Sequence, residues 1–209
     1  MERAHIGVDL DNTLIDYTEV FGLVAQQMGF LGIGEAPGGK EAIKVRLLER
    51  DPSEHLWMRL QGQVYGSHLG KARLCPGAGE FLMFARKQGI RISIVSHKTR
   101  RGHFDPMRVD LWNAARDWLR ENGFFDPNRF AVAEADVYFE ATREAKIARV
   151  ADIGCHIFID DLEDVLRHPA FPNHVEPIWY ATAGIAARGD GLVRCDNWGQ
   201  IMDKLAERL

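Results

Sequence analysis

Short apolar runs that alternate with helical patterns constrain this 209-residue chain more than any other feature. Ala4 to Asp9, Ile90 to Ser96 (IRISIVS), Arg129 to Ala133, Cys155 to Asp160 (CHIFID) and Glu176 to Tyr180 read as strands. Gly79 to Gln88, Pro106 to Asn122, Thr142 to Ile153 and Asn197 to Arg208 carry helical patterns, with Gly89 and Gly123 placed as C-terminal caps. Parallel strands need long crossovers, which such helices supply. The near-continuous runs IRISIVS and CHIFI suit strands covered on both faces. The expectation is an α/β fold, a Rossmann-like doubly wound parallel sheet.

One region breaks the alternation. Between Thr13 and Leu74 no strand is evident, only helical patterns around a glycine-rich break, GFLGIGEAPGG. Asp51-Pro52-Ser53-Glu54 reads as a helix start with Asp51 as N-cap and Pro52 as the first helical residue. Leu56, Leu60 and Val64 then share a face. Residues 16–73 are expected to form a small helical cap inserted into a core of residues 1–15 and 74–209.

Composition narrows the class. Apolar residues make up 46% and charged residues 27% of the chain, as in ordinary globular proteins. The formal net charge of -4 weighs against a general nucleic-acid binder. Cys75, Cys155 and Cys195 form neither a metal-binding spacing nor an even disulfide set, so buried reduced thiols in the cytoplasm are expected. Neither a signal-peptide pattern nor a membrane-length apolar run is present, so no membrane partner is expected.

Ligands of open parallel sheets bind beyond the carboxyl ends of the strands. The first strand ends in Asp9, with Asp11 two residues on; IRISIVS ends in Ser96, followed by His97 and Lys98; CHIFID ends in Asp160, followed by Asp161. Two carboxylates so close repel unless something positive sits on them. Asp9, Asp160 and Asp161 form an oxygen-only set suited to a hard cation such as Mg²⁺. A carboxylate there can attack phosphorus, and a second one can pass a proton to the leaving oxygen. Ser96 and Lys146 could hold phosphoryl oxygens.

VDLDNT (Val8 to Thr13) resembles the DxDxT first motif of the haloacid-dehalogenase-like (HAD) hydrolase superfamily. IVSHKT resembles the second motif, Lys146 the third-motif lysine, and FIDDLED (Phe158 to Asp164) the acidic fourth motif, all in family order. The resemblance covers roughly residues 4 to 180, the cap by position only. It implies a phosphatase branch with a helical cap that admits small soluble phosphate esters, such as a sugar phosphate or nucleotide. Asp9 would be the nucleophile and a metal ligand, and Asp11 the general acid/base, with its backbone carbonyl also on the metal. Ser96 and Lys146 would bind the phosphoryl group, with Asn12 and His97 beside them as substrate-binding residues. Asp160 would hold Mg²⁺, supported by Asp161 or Asp164, since the DD and GDxxxD forms both fit. Ile159 stands where the family usually has a small residue. An acid at position 11 favours phosphomonoesters over carbon–halogen bonds.

Alternatives within the superfamily are a phosphotransferase or mutase, and a nucleic-acid end phosphatase gripping the backbone with His97, Lys98, Arg100, Arg101, His103 and Arg108. That basic run reads first as a solvated loop. A non-catalytic binding module is a third possibility, disfavoured by the intact set of acids. In the cap, Lys40, Lys44, Arg46, Trp57, Tyr65 and His68 could face substrate, although Trp57 and Tyr65 read first as cap core.

Overall fold

The computed structural model describes residues 4–32, 34–181 and 191–207. In chain order the strands are β1 (His5–Val8), β2 (Ile15–Asp16), β3 (Arg73–Leu74), β4 (Arg91–His97), β5 (Val137–Glu140), β6 (Ile157–Asp160), β7 (Glu176–Tyr180) and β8 (Val193–Cys195). The α-helices are α1 (Thr18–Gln27), α2 (Gly39–Arg50), α3 (His55–Tyr65), α4 (Ala78–Lys87), α5 (Leu111–Glu121), α6 (Arg143–Asp152), α7 (Glu163–Leu166) and α8 (Trp198–Ala206).

The chain divides into two compact units. One holds Met1–Ile15, Leu74–Lys98 and Gly123–Leu209; the other holds Asp16–Arg73 and Thr99–Asn122. The first unit contains a parallel sheet ordered β5-β4-β1-β6-β7-β8. From β1 the chain moves outward to β4 and β5, then returns to β6 on the other side. The switch point therefore lies between β1 and β6, where Asp9 and Asp160 end their strands. Val95, Ile147, Val150, Phe158 and Trp179 pack together beneath the sheet's helices. At the centre, a Cβ on Gly7 would come within 2.6 Å of the Phe158 ring, so only glycine lets β1 and that ring approach.

The second unit has its own apolar core. Phe21 stacks on Trp57 with ring centroids 5.4 Å apart, and Tyr65 meets Tyr17 edge-on at 4.9 Å. Trp57 and Tyr65 are thus packed against aromatics, while Lys44 lies over the Trp57 ring. Segment 99–122, which the sequence placed in the core, belongs here instead. A Cβ on Gly102 would fall 2.5 Å from the Gly62 Cα, Gln63 donates to Asp105, and Trp118 donates to the Ala72 carbonyl. These are contacts between backbone surfaces and polar groups, which an apolar period does not reveal.

Several element expectations are corrected. Arg129 to Ala133 is no strand: Ala131 has φ 55° and its N–H returns to the Asp126 carbonyl. Phe130 and Val132 are buried, so the apolar signal reported burial within a turn. The strand next to β4 is β5, an edge strand whose alternating burial fits half-covered pairing. Pro106 to Leu111 is not helical up to Asp110, whose side chain caps α5 by accepting from Trp112 and Asn113 N–H. Asp51 accepts from Ser53 and Leu56 N–H, but α3 begins only at His55 and Pro52 stays outside it. Gly89 and Gly123 do end their helices, with φ 68° and 78°. Arg208 of the last predicted helix lies outside the described residues. All three cysteines are buried thiols, and no helix among the described residues is long and apolar enough to cross a membrane.

Candidate active site

β1 delivers Asp9 to the sheet edge and holds it there through its N–H, which donates to the Ile159 carbonyl at 2.8 Å. Immediately afterwards the chain reverses. Leu14 and Ile15 N–H both reach the Leu10 carbonyl, and Asn12 takes a left-handed φ of 62°. Asparagine tolerates that conformation better than most residues. The turn sends Asp9 and Asp11 into different surroundings. Thr13 bridges the acids below, donating weakly to Asp9 Oδ2 at 3.3 Å and alternatively to Asp161 Oδ1 at 3.4 Å.

Lys146 rises from α6, whose N-terminus is capped by the Thr142 hydroxyl. Its ammonium lies 2.5 Å from Asp9 Oδ1 and 2.7 Å from Asp160 Oδ2. All three side chains are buried. Burial pushes the Asp9 carboxyl up to about 7 against the pull of Lys146, with Asp160 and Asp11 adding repulsion. Burial alone would lower Lys146, but Asp160 and Asp9 outweigh it and hold its ammonium above the ordinary lysine range. Asp160 also accepts from Leu162 N–H, which fixes the turn after β6.

Asp11 meets a different set. Ser96, buried at the end of β4, donates to its Oδ2 at 3.4 Å. The Lys98 ammonium lies 3.0 Å from Oδ1 and 2.8 Å from Oδ2. Lys98 was expected to be part of a solvated basic loop; instead it is 4% exposed. The signal that could have found it is the strand period, since Ser96 and Lys98 are two residues apart and share a face. His97, between them, turns the other way, with its ring on the Ala141 carbonyl. Burial lowers the His97 imidazole below the usual range.

Asp9, Asp160 and Asp161 each present a carboxylate oxygen, all within 4.8 Å of one another. An all-oxygen set of this kind fits a hard divalent cation. Asp164 is exposed on α7 and is not one of the three. The Asp11 carboxylate is not one of them either.

No family model matches the chain, and no curated protein matches it. Solved structures do. A HAD-superfamily hydrolase from Ehrlichia chaffeensis superposes over 99% of this chain and 98% of its own, with a TM-score of 0.55 and 18% identity. A HAD family hydrolase from Deinococcus radiodurans R1, with phosphate and sodium bound, covers 98% of this chain and 96% of its own at TM-score 0.60 and 15% identity. A HAD phosphatase from Thermococcus onnurineus gives 0.56 and 16% identity, over 98% of each chain. This protein therefore has the fold of the HAD-superfamily hydrolases. Its acids and serine stand at or just past strand ends, where ligands of such sheets bind, with Lys146 reaching them from α6.

Proposed function

We propose that this protein is a Mg²⁺-dependent phosphomonoesterase acting on a small phosphorylated metabolite, a sugar phosphate or nucleotide. The observation that carries this reading is the separation of two neighbouring acids. Asp9 is buried against Lys146, whereas Asp11 sits on Ser96 and Lys98. Two carboxylates in distinct environments suit two distinct roles.

In the proposed reaction Asp9 Oδ attacks phosphorus and the ester P–O bond breaks, giving an aspartyl-phosphate. Asp11 gives its proton to the leaving alkoxide. A water molecule then attacks the aspartyl-phosphate, losing its proton to Asp11, and inorganic phosphate leaves with Asp9 restored. Ser96 and Lys146 hold the phosphoryl oxygens as charge builds on them. Asp9, Asp160 and Asp161 would hold the cation, which when bound offsets the carboxylate charges and polarises the phosphoryl oxygens.

The test is released phosphate from a panel of phosphorylated metabolites and short oligonucleotides, with Mg²⁺ present. Small monoesters should be turned over, and Asp9→Asn should lower kcat by at least about 10³-fold with the fold retained. Near-wild-type hydrolysis by that variant refutes the nucleophile assignment. Preference for oligonucleotides with steep salt dependence would favour the end-phosphatase reading instead.

A further inference from the structure

Lys98 is an expensive residue to bury. Its ammonium must leave water, and its long side chain gives up rotamer freedom. A carboxylate meets the buried ammonium. Nζ straddles Asp11, 3.0 Å from Oδ1 and 2.8 Å from Oδ2. A cation shared between both oxygens fixes the carboxylate plane as well as its position. Lys98 is itself held from behind, because its N–H donates to the Glu140 carbonyl of β5 at 2.9 Å. The lysine side chain is 3% exposed and that of Asp11 17%, so the acid lies outward of the cation that grips it. A substrate oxygen can therefore reach Asp11 without displacing Lys98.

We propose that Lys98 is a positioning residue: it sets the orientation of the Asp11 carboxylate toward the leaving oxygen of the ester. This rests on the phosphomonoesterase reading, and specifically on proton transfer by Asp11. It also says what the lysine two residues after Ser96 is for. Its charge serves the chemistry of the leaving group and not the capture of a second anionic group.

The two roles separate experimentally through the leaving group. An alkyl phosphate such as glycerol phosphate needs a well-aimed proton donor, whereas p-nitrophenyl phosphate, with its stable leaving phenolate, scarcely does. K98M should lower kcat on glycerol phosphate by about 100-fold, leave its KM within about 2-fold, and slow p-nitrophenyl phosphate by less than about 3-fold. K98R, which keeps the charge at a different reach, should fall between wild type and K98M with the same preference. It provides the reading if K98M does not fold, as judged by circular dichroism. Equal losses on both esters with a raised KM would mean that Lys98 holds the phosphoryl group, and would overturn the proposal. Unchanged rates on both esters would also overturn it. D11N run in parallel separates the two levels of inference. If D11N slows both esters equally, proton transfer by Asp11 fails and Lys98 positioning fails with it. If D11N is selective and the Lys98 variants are not, only the inference about Lys98 falls.

Discussion

At the scale of single residues, Lys146 and Lys98 divide the work of holding three carboxylates, Asp9, Asp160 and Asp11, at one sheet edge. Lys146 lies between Asp9 and Asp160. Removing one member of such a buried set leaves the others uncompensated, at about 3–5 kcal/mol. Lys146→Met should therefore lower the melting temperature in metal-free buffer by about 10 °C. A melting temperature within about 2 °C of wild type would show that the lysine does not hold the acids together. Asp9, Ser96, Lys146 and Asp160 were legible in the sequence because each ends a strand or leads into one. Lys98 was not, because its charge placed it with the arginines that follow it. Only the two-residue period of a strand that runs past Ser96 to His97 marks it as inward-facing. Cys155 shows the same inwardness without chemistry: burial pushes its thiol up to about 11. Iodoacetamide at pH 8 should leave Cys155 unmodified until the protein unfolds; alkylation of the native protein at that site would contradict this.

At the scale of elements, the legible strands were the four inner ones of the sheet, β1, β4, β6 and β7. β8 has three residues and β5 alternates at an edge, so neither produces a continuous run. β1 is short but closely packed. Gly7→Ala should destabilise the fold by about 1–3 kcal/mol, because the added methyl meets Phe158 at 2.6 Å and Cys155 Sγ at 3.1 Å. A denaturation midpoint equal to wild type would show that the ring simply moves aside. The start of β1 also carries a titrating group. His5 Nε2 lies 2.8 Å from Ser93 Oγ, and burial first, then Arg91, pulls the imidazole below its usual range. As pH falls through about 6.5, the unfolded chain takes up a proton that folded His5 resists. His5 should therefore take stability away from pH 7 toward pH 5, against the gain from Asp9, whose raised carboxyl takes up a proton in the folded state over the same range. His97 is lowered as well, so His5→Gln should make the slope of stability with pH less positive over that range without removing the histidine contribution. An identical slope in the variant would remove His5 from the account.

At the scale of the whole molecule, the sheet and its insertion after β1 were legible, but the division of the chain was not. Residues 99–122 carry an amphipathic helix that could cover any apolar surface, and the Gly62–Gly102 approach, the Gln63–Asp105 hydrogen bond and the Trp118 hydrogen bond to the Ala72 carbonyl tie it to residues 16–73. The metal prediction belongs at this scale too, since a ligand that binds only the folded state stabilises all of it. Titrating Mg²⁺ into EDTA-stripped protein should raise its melting temperature, and Asp160→Asn should blunt the rise. EDTA should also silence turnover. A melting temperature indifferent to Mg²⁺ would refute the cation site.

The second unit is made by two separate departures of the chain, at Asp16–Arg73 and at Thr99–Asn122. Each begins within five residues of a site carboxylate or lysine, after Asp11 and after Lys98. Heredity cannot exchange that unit in one piece: a single crossover brings in half of it, with the Gly62 face meeting a foreign loop where Gly102 and Asp105 belong. Substitutions on either side of that seam should therefore travel in pairs, and a change of specificity by whole-unit replacement requires two grafts made together.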